Sequence, residues 1–514
     1  MSHDPSHAAG PTTVETGDAG VGKRLVIVGG GIAGLAAAHA AAGTRQSPPD
    51  ISAGITGSGP SIPSRNGLEI VVLERDAEVG GKARTWRSGD WLVEGGPTGY
   101  THTEPSFLEW MDELGLADER IPASAAAARR YIYVDGAMRE VSPHPVKLVR
   151  SGLVSFGGLL RAMREPWIGR SREEDESLHR FASRRLGPQI ADRLMAPMAL
   201  GIYAGDAARL SVRAAFPKVA ELERDHGSLI RGAIALKRQK RRASRGRPRG
   251  AGGEAGGGKN GGMAGPALSG FRDGMQTLPR HLAEDGRFRI RTRTPVLEIT
   301  REGEGYRVRT AEDAWHADAL VLATEPWAAA DLVRGFDAEL ARELDGILCP
   351  PVTVVAFGYP PEIAREAPVG FGVLIRRHEG LRMLGVLWDS QIFPGRAPAE
   401  HLLIRMMYGG AVDPEAGRLD EGEIAALARR ELVQAIGLDA APIFQHVLRW
   451  PRAIPQYEIG HLARIARIED RVRTHPGLFL TGNGLRGIAF ARAGADGLVQ
   501  GRAAGEHLIA AAMR

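Results

Sequence analysis

The chain has 514 residues, 43% of them hydrophobic, with 66 Lys and Arg against 61 Asp and Glu. Its length suits two or three domains rather than one, and its apolar content can fill sizeable cores, which makes a globular enzyme the default class. The lone cysteine, Cys349, excludes an internal disulfide and a CxxC metal site and fits a reducing compartment; beside Pro350 it reads as a small buried hydrophobe.

A net charge of +5 suits nucleic acid, an anionic membrane surface or an acidic substrate. Much of that excess lies between Lys237 and Arg249, so the charge describes a segment more than a surface. Residues 1–22 hold Asp4, Glu15 and Asp18 and no apolar core, unlike a secretory signal or an Arg-rich transit peptide, and read as a disordered tail. The apolar run Leu25 to Gly43 is broken by Gly29-Gly30-Gly31, so a strand, a tight turn and a helix are expected there, with no membrane-spanning segment.

Arg24 to Val28 is a β-branched run suited to a buried parallel strand, and the Ala-rich stretch Ile32 to Ala42 is a strong helix former. Leu68 to Leu73 reads as the second strand. Between them, Gly43 to Gly67 is rich in Pro, Gly and Ser and reads as a surface insertion in a βαβ unit. Helical signals dominate from Pro105 to Leu200, including Phe107 to Leu116 and Leu178 to Met198. Val146 to Trp167 mixes Leu148, Val149, Phe156 and Leu160 with Lys147, Arg150, Arg161 and Arg164. Such an amphipathic basic stretch can lie on an anionic bilayer or serve as an ordinary surface helix.

Leu236 to Gly265 opens with Lys237-Arg238-Gln239-Lys240-Arg241-Arg242 and turns Gly-rich, which predicts a flexible, solvated loop. No stacking aromatics are interleaved with the basic residues, so nucleic acid is not the expected partner. Strands are expected at Phe288 to Arg291, Tyr306 to Arg309 and Ala319 to Thr324, and a β-rich region spans Val352 to Val447 with a helix at Glu421 to Ile436. The chain ends on a strand, Leu478 to Leu480, a Gly-rich turn, and a helix from about Gly494.

Gly29-Gly30-Gly31-Ile32-Ala33-Gly34 matches GxGxxG where a strand opens into a helix. Gly29 permits the turn, Gly31 lets the backbone approach a pyrophosphate, and Gly34 lets helix and strand pack closely. The helix N-terminus at Ile32 and Ala33 offers free N–H groups and a positive dipole end to phosphate. Glu74, at the end of the second strand, can accept both ribose hydroxyls, although its distance from Gly34 is twice the usual gap of about 20 residues. The insertion between the two elements accounts for the excess. No nucleophile elbow, P-loop or HExxH is present, and His102 has no second His or Cys at ligand spacing, so no metal site is expected.

Gly80-Gly81-Lys82-Ala83-Arg84-Thr85 follows the ribose acid closely, and this doublet resembles the large FAD family of amine oxidases, phytoene desaturases and protoporphyrinogen oxidases. Leu480-Thr481-Gly482-Asn483-Gly484 fits the same pattern. Val93-Glu94-Gly95-Gly96-Pro97, Arg129 to Tyr133, Gly201 to Asp206, Gly370 to Leu374, Phe393 to Pro398 and Trp450 to His461 resemble the oxygen-dependent protoporphyrinogen oxidase branch in number and order. The resemblance implies FAD as cofactor, held by Gly29, Gly31, Ile32, Ala33, Gly34, Glu74, Gly81, Lys82, Arg84, Gly96, Pro97, Thr98, Val296, Gly482, Asn483, Gly487 and Ile488. Lys82 or Arg84 can offset phosphate charge.

On the substrate side the resemblance implies that Arg130 pairs with a propionate, with Arg129 beside it as the alternative. Phe371 and Leu374 would sandwich a pyrrole ring, Met407 would line the same cavity, and the Gly201 carbonyl would face a pyrrole N–H. Plain core packing is the competing reading of Phe371, Leu374 and Met407. Thr98 stands where some family members carry a cation or Asn, and it cannot neutralise a carboxylate. The implied reaction removes hydride from the macrocycle to flavin in three two-electron steps, with dioxygen as acceptor and hydrogen peroxide as product. A coproporphyrinogen III oxidase, an amine oxidase or carotenoid desaturase, and a flavin-bound scaffold are the alternatives.

The expected fold class is α/β (α+β): a Rossmann-like FAD-binding domain built from residues 23–104, 217–330 and 472–514, with insertions 43–67 and 236–265. A helical, membrane-facing domain (105–216) and a mixed-sheet substrate domain (331–471) complete it. The implied partners are a porphyrinogen, dioxygen and an anionic membrane. A cytoplasmic enzyme, peripheral on the inner membrane, is expected, and a homodimer is compatible with the sequence.

Overall fold

Arg24–Val28 forms the centre of a five-stranded parallel sheet in the computed structural model, which describes residues 23–43, 67–245 and 267–513. The expectations for the tail 1–22, for 44–66 and for 246–266 lie outside the described residues. The sheet runs in the order Arg289–Arg291, Glu69–Leu73, Arg24–Val28, Ala319–Leu322, Leu478–Leu480, and every pair is parallel. Five distant pieces of chain thus build one Rossmann-like layer, as the β-branched runs require when both faces are covered.

Strand alternation divides the sheet between two cores. Leu25, Ile27, Ile70, Val72 and Val321 pack against Ala37, Ala38, Ala41, Ala504 and Leu508 of the helices Ile32–Ala41 and Phe490–Ala512. Val26, Val28, Val71, Leu73, Leu320 and Leu322 face the other way, onto Ile299, Tyr306, Val308 and Trp315 of an antiparallel three-stranded sheet and onto the helices Pro326–Val333 and Ala338–Asp345.

A seven-stranded mixed sheet forms the second body, in the order Phe444–Trp450, Val352–Tyr359, Leu402–Gly409, Met383–Leu387, Gly372–Ile375, Arg130–Val134, Ala137–Glu140. Its neighbours are antiparallel except Arg130–Val134, which lies parallel to Gly372–Ile375. The segment 105–216 is therefore not wholly helical: Tyr131, Ile132 and Tyr133 supply a β-branched and aromatic run that pairs into the larger sheet. Short helices lie within 145–167 and again from Leu178 to Tyr203, and the predicted helix Leu178 to Met198 breaks at Gly187-Pro188, where Gly187 has a positive φ of 98°.

Residues 236–245 also differ from expectation. They continue a helix, Leu229–Arg245, because Lys, Arg, Gln, Ala and Leu are good helix formers and glycine dominates only after it. The helix Glu421–Ile436 stands where predicted, closed at its start by a capping box between Asp420 and Glu423. The last helix begins at Phe490, four residues before the predicted start.

Candidate flavin and substrate site

Gly29 turns with φ of 109°, and a Cβ there would lie 2.8 Å from the Ala323 carbonyl oxygen. At Gly34 a Cβ would lie only 1.9 Å from the Gly29 carbonyl oxygen, so the turn and the helix start can close only on glycine. At Gly31, by contrast, a Cβ would point into open space. No side chain caps the helix N-terminus here and its first turn holds no acidic residue, so the N–H groups at Ile32 and Ala33 remain available to an anion.

Glu74 is buried at the end of its strand. One carboxylate oxygen accepts from Gly30 N–H at 2.6 Å and the other from Asp76 N–H at 2.8 Å, which fixes the group beside the glycine turn. Gly80 N–H donates to the Gly30 carbonyl at 2.9 Å, bringing Gly80-Gly81 alongside Gly31, and a Cβ at Gly81 would come within 3.5 Å of Gly31 Cα. An uncapped helix end under open backbone, next to an anchored carboxylate, fits the diphosphate and ribose of FAD.

The two cations named for phosphate are engaged elsewhere. Lys82 Nζ lies 2.7 Å from Glu325 Oε2 and also donates to the Ala453 carbonyl, and Arg84 sits 4.0 Å from Asp76. The anion-binding work falls to backbone N–H groups. Gly96 stacks on this strip, since a Cβ there would lie 2.1 Å from the Lys82 carbonyl oxygen. Val296 is half-buried against the sheet core.

The C-terminal half of the site is held by a tyrosine. Tyr457 Oη donates to the Asn483 carbonyl at 2.5 Å and accepts from Gly487 N–H at 2.7 Å, so one phenol bridges both ends of the 483–487 turn. Its ring stacks on His461 at 3.9 Å, and burial pushes the His461 imidazole down to about 4, keeping it neutral. His461 Nε2 lies 3.2 Å from the Leu485 carbonyl. Ile488 packs on the same cluster.

The substrate-side candidates converge on one face of the seven-stranded sheet. Arg130 pairs in register with Gly372, and its guanidinium lies 5.0 Å above the Phe371 ring. Surrounding protein holds its pKa below the usual arginine value, and no carboxylate among the described residues reaches it. Leu374 packs against Gly201, where a Cβ would come within 2.5 Å of its Cδ2. Met407 is in register with Gly385, which also pairs with Leu374, so Leu374 and Met407 flank one glycine. Arg129 contributes its backbone to the sheet edge through Phe371 N–H.

A buried charge cluster behind Gly96–Thr98 escaped the sequence reading. Arg405 and Asp389 are each 2% exposed and form an ion pair; Glu94 and Arg396 are each 1% exposed and stand 3.6 Å apart. Burial raises the Glu94 carboxyl above its ordinary range. A lone Arg within the apolar run Leu402-Leu403-Ile404-Arg405-Met406-Met407 was the available signal, since a buried cation must find a partner.

Comparison with known proteins gives this geometry a family. The family model described as flavin containing amine oxidoreductase matches residues 32–498. A chloroplastic protoporphyrinogen oxidase of Oryza sativa subsp. japonica is 30% identical over 92% of this chain and 86% of its own length. A coproporphyrinogen III oxidase of Bacillus subtilis (strain 168) is 26% identical over 94% of this chain and 97% of its own. A crystal structure from Exiguobacterium sp. 255-15 superposes with a TM-score of 0.75 at 22% identity, over 95% of this chain and 99% of that one. Cyclohexylamine oxidase from Brevibacterium oxydans IH-35A shares the fold at a TM-score of 0.64 and 16% identity, over 96% and 100%. The chain belongs to the flavin-containing amine oxidoreductase family and is an FAD-dependent oxidoreductase.

Proposed function

We propose that this enzyme oxidises a porphyrinogen to the corresponding porphyrin with dioxygen as acceptor, protoporphyrinogen IX to protoporphyrin IX, as a step of haem biosynthesis. The observation that carries the reading is Arg130: a guanidinium free of carboxylate partners among the described residues, stacked on Phe371 at the rim of a face lined by Leu374 and Met407. An apolar macrocycle carrying carboxylates calls for apolar walls and a cation at the edge. Relatives named protoporphyrinogen oxidase, matched over most of this chain, support the same substrate class.

When bound, FAD supplies two-electron acceptor chemistry, which dioxygen completes by forming hydrogen peroxide. The chain's own residues bind and orient. Arg130 holds a propionate, Phe371 and Leu374 clamp a pyrrole ring, and the Gly201 backbone accepts from a ring N–H. Glu74 fixes the N-terminal glycine turn of the cofactor site, and Tyr457 fixes the 483–487 turn.

Coproporphyrinogen III is the second reading, favoured by the Bacillus subtilis relative that this chain matches over 97% of its length. Anaerobic protoporphyrinogen IX and coproporphyrinogen III, mixed separately with the yellow holoenzyme in air, decide the matter by the rise of porphyrin fluorescence. A holoenzyme inert toward both overturns the proposal.

We further infer that the enzyme is cytoplasmic and binds the inner membrane peripherally. Val146, Phe156, Leu160, Met163 and Trp167 are exposed on consecutive short helices and a turn, and Trp167 is 77% exposed. Glu165, two residues before Trp167, accepts from the N–H groups of Leu229 and Ile230 and so anchors the helix Leu229–Arg245 at the same corner. That helix has seven Lys or Arg and no acidic residue. Apolar area flanked by cations suits an anionic bilayer. No helix among the described residues is long and apolar enough to cross a membrane. Sedimentation with anionic vesicles and not with neutral ones is the expected result; indifference to lipid charge overturns it.

A further inference from the structure

Two arginines share one indole beside the nucleotide half of the flavin site. The Arg452 guanidinium lies 4.7 Å from the centre of the Trp327 ring, and the Arg75 guanidinium lies 5.7 Å from it. A cation over an aromatic ring is a favourable contact, but two cations on one ring also repel each other. Carboxylates do little to quiet that repulsion. Among the described residues none pairs with Arg452, and Arg75 has only Asp76 at 3.8 Å, which Arg84 shares at 4.0 Å. Both arginines are exposed, so their charges act through solvent and are open to screening by salt.

Each member of the group is held by a neighbour in the cofactor site. Arg75 follows Glu74, whose carboxylate accepts from the N–H groups of Gly30 and Asp76. Trp327 follows Pro326, which lies against the C-terminal turn: a Cβ at Gly484 would sit 2.1 Å from Pro326 Cγ. Arg452 precedes Ala453, whose carbonyl accepts from Lys82 and whose N–H donates to the Pro350 carbonyl at 2.9 Å. One ring therefore gathers the chain that leaves the ribose acid, the helix Pro326–Val333 and the segment that contacts Lys82. Trp327 Nε1 is buried and has no acceptor among the described residues.

This corner already holds the uncapped helix start at Ile32 and Ala33, where backbone N–H groups are free for phosphate. Those groups carry partial charges only, and Lys82 is neutralised by Glu325. The diphosphate of FAD is a dianion. Arg75 and Arg452 are the nearby cations whose charge the protein leaves largely unmatched.

We propose that Arg75, Trp327 and Arg452 form a charged clasp that retains FAD, in which the indole keeps two guanidiniums together and the bound diphosphate relieves their repulsion. Backbone N–H groups hold the phosphates, and the clasp sets how tightly and with what salt dependence the cofactor stays. The inference rests on the FAD assignment and not on the porphyrinogen reading.

The test titrates FAD into the apoprotein of wild type, Arg75→Gln, Arg452→Gln, the double variant and Arg452→Lys. Quenching of flavin fluorescence is read at about 0.01 M and about 0.1 M salt, where screening lengths are about 30 and 10 Å. Each single glutamine variant should raise the FAD dissociation constant about two- to fivefold at low salt, and the double variant should raise it further. The gap from wild type should narrow at the higher salt, and Arg452→Lys, which keeps the charge, should recover most of the loss. The thermal midpoint should fall for the FAD-loaded variants and hold for their apoproteins, which a merely structural contact would not allow. Unchanged FAD affinity in the double variant overturns the proposal. A loss equal at both salts, or apoproteins that melt as much lower as the holoenzymes, overturns it as well. A wild type that takes up no FAD overturns the assignment beneath it, and the wild-type titration alone tells the two failures apart.

Discussion

Gly497 lies directly on the backbone of Ala33: a Cβ at Gly497 would sit 2.2 Å from the Ala33 carbonyl oxygen. The contact repeats one turn on, where a Cβ at Gly501 would sit 2.1 Å from the Ala37 carbonyl oxygen. Glycines spaced by four residues on the last helix thus let it ride on the Ala-rich first helix, and the two ends of the chain meet behind the phosphate turn. Gly501→Ala forces the helices apart at the cost of overpacking, about 1–3 kcal/mol. The variant should melt lower and shed FAD on gel filtration, whereas Val499→Ala on the exposed face should shift stability by less than about 0.5 kcal/mol.

Tyr457 holds the C-terminal half of the site together. Tyr457→Phe keeps the ring on His461 and removes the oxygen that Asn483 and Gly487 share. A buried N–H left without its acceptor costs about 1–3 kcal/mol. On the reading that places the bridged turn in the cofactor site, that cost should surface as an FAD dissociation constant about tenfold higher or more, measured by flavin fluorescence on dilution. Unchanged FAD affinity would mean that the 483–487 turn is held by other contacts.

These relationships divide what could be read from sequence from what could not. The turn Gly29–Gly34 is local: a β-branched run, glycines at fixed offsets and an Ala-rich helix announce the strand, the turn and the anion site together. The helix Glu421–Ile436 was legible for the same reason, since Asp420 and Glu423 cap it within four residues. Pairing was not legible. Arg405 meets Thr98 across 307 positions and Tyr457 meets Asn483 across 26, and no local period encodes either partner. Helix propensity was outvoted by composition at 236–245, where a basic, Gly-flanked run looked like a loop and folds as a helix. The strand Arg130–Val134 was hidden in a helical neighbourhood because its pairing partner, Gly372–Ile375, lies far along the chain.

His461 predicts a pH dependence whose sign is fixed by burial. Its folded pKa falls from 6.5 to about 4, so between these values the unfolded chain binds the proton and the folded chain does not. Stability is therefore present at neutral pH and lost as pH falls through this window. Arg464 reinforces the depression and Asp175 opposes it. From about pH 7 to 5 the wild type should lose about 2 kcal/mol more than His461→Gln, a difference read from paired thermal or urea melts. Parallel pH profiles for the two proteins would assign the acid sensitivity to other groups.

Cys349 should be inert. The residue is half-buried rather than buried as the sequence suggested; desolvation, with Glu325 nearby, still pushes its thiol up to about 12, so the thiolate fraction at neutral pH is negligible. Native enzyme treated with a thiol reagent such as DTNB at mildly alkaline pH should release no chromophore until denaturant is added, and activity should be unaffected. Rapid modification of the native protein would show that the segment around Pro350 opens.

Arg130 offers the sharpest test of the substrate face. Arg130 is exposed at the start of its strand, its guanidinium stacked on Phe371 but unmatched in charge, and the neighbouring protein removes part of its solvation. A propionate would restore the missing charge partner, and a charge-assisted contact of this kind is worth about 1.5–3 kcal/mol. Arg130→Ala should therefore raise KM by about tenfold or more while kcat changes less, because the group holds the substrate away from the reacting carbon. Arg130→Lys keeps the charge and loses the flat stack, and should fall between the two. The decisive comparison is the methyl ester of the porphyrinogen: wild type should lose affinity for it, and Arg130→Ala should handle acid and ester alike. If both enzymes discriminate equally, the propionate is read by another residue, with Arg129, one position earlier, the first to examine.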